Sequence, residues 1–196
     1  NIEYNNLKLL IIDEEHKFGV TDKEKIKKLK NNIDVITLTA TPIPRTLNSA
    51  LSQIKDLSVM VTPPQNRKSI VTRIVKWDKD ILIEAIDREI QRGGQIYYVH
   101  NEISTMDNEI ERISSLNNKI KIGRIHGQLD PKHIEIEMQK FLNREYDLLI
   151  CTSIIESGLD IQNVNTIIIN NSNKFGLSQL HQIRGRVGRT NRQAYA

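Results

Sequence analysis

Cysteine is nearly missing from the 196 residues: Cys151 stands alone inside the apolar run 148–151, which excludes an internal disulfide and any cysteine-built metal cage. That position suits a buried core thiol. No apolar run approaches the roughly 20 residues of a membrane-spanning helix, and the first residues lack a basic-then-apolar leader pattern. The chain therefore reads as soluble and cytoplasmic, with no membrane partner. Internal repeats and low-complexity tracts are absent as well. His100, His126, His133 and His181 lack the spacing of metal ligands. The charge excess is small: 28 Lys plus Arg against 24 Asp plus Glu leave +4, which permits a polyanionic partner without requiring one. One absence is chemical. No glycine-rich loop ends in Gly-Lys-Thr or Gly-Lys-Ser, so the sequence offers no P-loop cradle for the β and γ phosphates of a nucleotide.

What is present is organised around the aliphatic run 9–12, which is followed at once by Asp13, Glu14, Glu15 and His16. Four aliphatic residues bounded by charge predict a strand buried on both faces, as in the centre of a parallel sheet. In open α/β sheets ligands gather at the carboxyl ends of strands, where Asp13 and Glu14 arrive. Such a pair can serve a nucleoside triphosphate. Asp13 is assigned to Mg2+, held through water because that ion dehydrates reluctantly, and Glu14 to the water that attacks the γ-phosphate. Taken alone, these acids also fit a solvated strand exit.

Downstream the pattern alternates strand and helix. Strands are expected over 35–38, 70–75, 95–99, 120–125, 148–151 and 166–169. Helical spacing runs through Ile26, Leu29 and Ile33, and from Arg45 through Leu47, Leu51 and Ile54. Further helices are expected over 78–92 with Gly93-Gly94 as the stop, over 104–116, and over 176–184. Another begins at a cap on Asp130 with Pro131 in its first turn and Ile134, Met138, Phe141 and Leu142 inward. Prolines and polar residues over 62–67 mark a linker. The fold class is α/β, with parallel sheets flanked by helices on both faces.

Three stretches in order carry a resemblance: Asp13-Glu14-Glu15-His16, then Thr39-Ala40-Thr41-Pro42, then Gln182-Ile183-Arg184-Gly185-Arg186-Val187-Gly188-Arg189. They resemble motifs II, III and VI of superfamily 2 helicases and translocases. Residues 13–20, 37–47, 55–58 and 62–64 look more narrowly like the bacterial transcription-repair coupling factor family, over essentially the whole chain. The resemblance implies RecA-like lobes: 1–62 as the C-terminal half of lobe 1, 63–69 as linker and 70–196 as a nearly complete lobe 2. It implies ATP and Mg2+ as cofactors and double-stranded DNA as partner. RNA polymerase and excision-repair proteins would bind through regions absent from this chain.

The stretch Thr152-Ser153-Ile154-Ile155-Glu156-Ser157-Gly158-Leu159-Asp160 resembles motif V. Its hydroxyls and N–H groups suit the DNA backbone, Gly158 a tight turn, and Asp160 a ribose hydroxyl. By the same resemblance Arg189 is the arginine finger, Arg186 a second phosphate contact, and Gln182 a link from the nucleotide to the DNA track. His16, Thr39 and Thr41 couple the two functions, and Gln128 of His126-Gly127-Gln128 touches nucleic acid. The two glycines of motif VI are expected to let backbone approach a ligand. Arg45 fits either a phosphate contact or support for motif III.

Without the P-loop, the chain is expected to be an internal piece of a larger DNA-dependent ATPase and inactive by itself. The alternatives are a RecG-type branch-migrating helicase, whose motif II carries Gln where Glu15 stands, and a DNA- or protein-binding module without turnover.

Overall fold

The computed structural model describes residues 7–14, 18, 19, 21, 24, 33–39, 56, 58–60, 62, 68–156 and 161–196, the side chains of 155 and 156 excepted. The helices expected through Ile26 and Leu29 and from Arg45 fall largely or wholly outside these residues. So do His16, Thr41, Arg45, Gly158 and Asp160. The chain divides into two compact units, Asn1–Val59 and Met60–Ala196.

In the first unit, β1 (Leu9–Asp13) pairs in parallel with β2 (Asp34–Leu38), Leu9 opposite Asp34 and Asp13 opposite Leu38. Burial on both faces does not hold for β1. Ile12 is 4% exposed, whereas Leu9 and Ile11 are 47% and 58% exposed. Successive side chains of a strand point to opposite faces, and the face that carries Leu9 and Ile11 also carries the exposed Ile36 and Leu38. An unbroken aliphatic run does not distinguish one covered face from two.

The second unit holds a four-stranded parallel sheet made of β3 (Gln95–Val99), β4 (Ile122–Ile125), β5 (Leu148–Cys151) and β6 (Val164–Ile169), in the order β4-β5-β3-β6. Its helices are α1 (Lys79–Gln91), α2 (Met106–Leu116), α3 (Pro131–Leu142) and α4 (Leu177–Arg184). Period-two alternation sorts the strand side chains into two cores. Tyr97, Val99, Leu149 and Cys151 pack with Met138 and Phe141 of α3 and Ile183 of α4. Ile96, Tyr98, Leu148 and Ile150 pack with Leu82 and Ile86 of α1 and with Met106 and Ile113 of α2. The sheet is thus covered on both faces, as expected for RecA-like α/β architecture.

The caps behave as the sequence requires. The Asp78 carboxylate accepts from the N–H groups of Asp80 and Ile81, and that of Asp130 from Lys132 N–H at 2.8 Å. After α1 the chain reverses at Gly93, φ +69°.

Several expectations need correction. Residues 70–75 form no strand: Val71 makes only an isolated parallel bridge to Tyr195, because its pairing is confined to a few bonds with residues 194–196. Ile74 is 90% exposed there. Leu142 is exposed, one position beyond the buried Phe141 on α3. A 3-10 turn, Ile103–Thr105, precedes α2. β4 starts at Ile122 instead of 120, and β6 starts two residues early because Val164 is already buried and paired with Gln95, the buried Asn165 being an extra residue before Thr166 pairs with Ile96.

Candidate functional site

In the first unit the candidate residues sit where two parallel strands end side by side. Asp13 closes β1 with an exposed side chain, and Glu14 follows in the left-handed region at φ +51°. For a residue with a Cβ that conformation costs about 1–2 kcal/mol, and a bond from Glu14 N–H to the Leu38 carbonyl at 2.9 Å offsets part of it. The turn aims the Glu14 carboxylate at the residue that follows β2, and Thr39 Oγ1 donates to Glu14 Oε2 across 3.4 Å. Hence the hydroxyl of the second motif meets the carboxylate of the first, from 25 residues away in sequence.

Among the described residues no cluster of three or more His, Cys, Asp or Glu could enclose a metal. One exposed carboxylate, Asp13, with half-buried Glu14 beside it, fits an ion that keeps most of its water and is shared with substrate phosphates.

In the second unit the loops after β3, β4, β5 and β6 gather along the carboxyl edge of the sheet. His100 N–H bonds Cys151 O at 2.8 Å, Asn170 N–H bonds Val99 O at 2.9 Å, and Ser153 N–H reaches Asn101 Oδ1 at 3.4 Å. The His100 ring lies between Thr105 Oγ1 at 2.8 Å and Asn170 Nδ2 at 3.0 Å. Thr152 is 7% exposed, Ser153 is half-buried and Gln128 is exposed. Ser153 opens a 3-10 turn, Ser153–Glu156. Of the nucleic-acid candidates, Gln128 is the most open to a ligand.

The arginine-bearing loop leaves α4 through Gly185. Val187 is fully buried, so it anchors the loop while Arg186 is half-buried and Arg189 is exposed on either side of it. Gly188 has φ +72°, and a Cβ there would lie 3.0 Å from Ala194 Cβ and 3.1 Å from Ile70 Cγ1. This glycine therefore answers to the chain's own packing. Arg189 Nε turns back to Gly185 O at 3.5 Å, and Gln182 sits half-buried on α4.

Sequence reasoning missed Glu89 of α1, which is fully buried. The signal was available, because Glu89 falls where the inward stripe through Leu82 and Ile86 continues by one turn. It also gave His100 no place in the site, although its ring meets Thr105 nearby in sequence and Asn170 far from it.

A family model described as helicase conserved C-terminal domain matches residues 77–191. The transcription-repair-coupling factor of Buchnera aphidicola subsp. Acyrthosiphon pisum is 55% identical over 198 residues, covering 100% of this chain and 24% of the relative. That of Haemophilus influenzae is 51% identical over 196 residues, again 100% of this chain but 17% of the relative. The chain thus spans about a fifth of these relatives' length. Among solved structures, RecG bound to a three-way DNA junction superposes with a TM-score of 0.73 at 35% identity, over 100% of this chain and 26% of that one. Yeast Dbp5 bound to RNA and ADP BeF3 shares the fold, with a TM-score of 0.65 at 14% identity over 96% of this chain and 52% of that one.

Proposed function

The chain belongs to the helicase conserved C-terminal domain family, and on that premise we propose that it is part of the motor of an ATP-dependent double-stranded DNA translocase that displaces stalled RNA polymerase and couples transcription to DNA repair. The observation that carries this reading is a match over the whole of this chain, about half of its positions identical, to part of two transcription-repair-coupling factors. The geometry of the acid pair supports the chemistry. Asp13 would hold Mg2+, Glu14 would orient the attacking water, and Thr39, in contact with Glu14, would couple hydrolysis to movement. Bound Mg2+ and ATP supply the charge and the leaving group. Arg189 neutralises charge that develops on the γ-phosphate, with Arg186 as a second contact and Gln182 as the link to the DNA track. Gln128, Ser153 and Thr152 meet the DNA backbone. His16, Thr41, Gly158 and Asp160 keep the roles that the resemblance assigns them.

The superposition with RecG favours a second reading, remodelling of forked DNA. Mg2+-dependent ATP hydrolysis with duplex DNA, measured for this chain and for a form extended upstream, tests the motor assignment. Turnover by the longer form only, abolished by Glu14→Gln, is the expected result. Hydrolysis by the short chain alone overturns the expectation that a P-loop supplied from outside it is indispensable. Arg189→Ala in the longer form should lower turnover by about 10³-fold or more while ATP still binds. Release of a stalled polymerase, as against regression of a fork, then separates the two readings.

A further inference from the structure

The buried acid on α1 has no role in the chemistry above, yet it lies at the centre of a charged cluster. Glu89 Oε2 accepts from Thr166 Oγ1 of β6 at 2.5 Å and from Arg92 Nη2. Its other oxygen, Oε1, is buried with no hydrogen-bond partner. Gly94 makes room for that oxygen, since a Cβ at this position would stand 1.6 Å from it. Arg92 in turn donates from Nη1 to Gln193 O at 2.7 Å, while Arg192 Nη1 reaches back to Arg92 O at 3.3 Å. The guanidinium of Arg88 lies 3.8 Å above the Tyr195 ring, and that of Arg92 lies 5.3 Å from it.

Apart from Thr166 of β6, what this cluster holds belongs to residues 192–195, just after the loop that carries Arg186 and Arg189. Thr190 Oγ1 donates to Asn165 Oδ1 at 3.2 Å, and Tyr195 O accepts from Ile167 N–H at 3.0 Å. At its start the loop is an extension of α4, with Arg186 N–H bonded to Ile183 O at 3.0 Å. In the middle Val187 is buried and Gly188 rests against Ala194 and Ile70. An apolar pair could pack α1 against β6 at lower desolvation cost. What the buried carboxylate and its arginine add is direction, because a planar guanidinium meets its acceptors in a fixed fork.

We propose that Glu89 and Arg92 are positioning residues that set the path of the loop presenting Arg186 and Arg189, and so the rate of phosphate transfer. This rests on the reading of Arg189 as the finger. A shift of about 1 Å at a reacting group can cost 10²-fold, so the clamp acts on turnover far more than on nucleotide binding.

The test uses the full-length protein that contains this chain, in DNA-stimulated ATP hydrolysis with nucleotide stoichiometry measured alongside. Glu89→Gln, Arg92→Met and Gly94→Ala should each lower kcat by about 10- to 100-fold, with KM for ATP within about threefold and full stoichiometry retained. Arg92→Lys should recover part of the loss. Ile113→Val, in the core that contains neither Val187 nor Ala194, serves as a control matched in thermal stability. If the clamp variants keep normal kcat, or lose it only as far as the Ile113→Val control does, the inference is overturned. Arg189→Ala, run in parallel, keeps the two readings separable. If it turns over normally the finger assignment itself falls, whereas loss with Arg189→Ala beside intact clamp variants removes the clamp alone.

Discussion

Glu137 shows how a single carboxylate on α3 becomes a pH-dependent contribution to stability. Burial opposes its charge, but Lys140 Nζ at 2.8 Å and Tyr146 OH at 2.8 Å both donate to it and outweigh that cost, holding it below the usual glutamate range. For a depressed carboxyl the stabilisation is complete above the unfolded-state value, about 4.3, and is lost as pH falls through the lower folded-state value. Thermal melts between pH 6 and pH 3 should therefore show a decline for the native chain that is shallower for Glu137→Gln. Parallel curves for the two would contradict the assignment. Thr152 teaches a different lesson at this scale. A hydroxyl after a strand could be read from sequence, but its 7% exposure depends on β3 and β4 beside it, which no local pattern reports.

At the scale of elements, glycines separate local turn chemistry from tertiary packing. The Gly93 reversal was legible because a left-handed stop after an amphipathic helix is a local requirement. Gly188 was legible as a special position, but the reason lay in Ala194 and Ile70, the latter more than a hundred residues earlier. Gly188→Ala should cost about 1–2 kcal/mol from the left-handed backbone alone, with the contact to Ala194 adding to it. Gly127→Ala has open space around the new methyl and should stay within about 0.5 kcal/mol. Urea unfolding of both variants provides the comparison, and equal losses would show that the packing at Gly188 is not what selects glycine. The same distinction explains the strands. β3 and β5, buried at every position, were found nearly residue for residue, because continuous apolar runs in a doubly covered sheet leave little ambiguity. The run at β1 looks the same in sequence and differs only in what lies against it.

At the scale of the whole molecule, the α/β alternation and the order of the three motifs could be read directly, since both are linear properties. The meeting of Thr39 with Glu14 could be anticipated only in kind, and the Glu89 cluster not at all, because its partners come from α1, β6 and the residues after α4. Among the described residues, both cores and a sheet with helices on each face belong to the second unit. A chain of residues 60–196 should accordingly unfold in one cooperative transition. Calorimetry that gave a van't Hoff enthalpy well below the calorimetric one would exclude this. Among the described residues no helix is long and apolar enough to cross a membrane.

The bond from Gln193 Nε2 to Ser69 O joins residues 124 apart, beside the bridge from Val71 to Tyr195. This seam therefore brings residues 69–73 together with residues 193–196. On a ribosome, β3, β4 and β5 can emerge and pair while residues 69–73 still wait for a partner. Closure of the seam is the late event of folding, since so long a loop gains its contacts only after its entropy has been lost. Until residues 193–195 have left the exit tunnel, the outer edge of β6 stays open to pairing with another nascent chain.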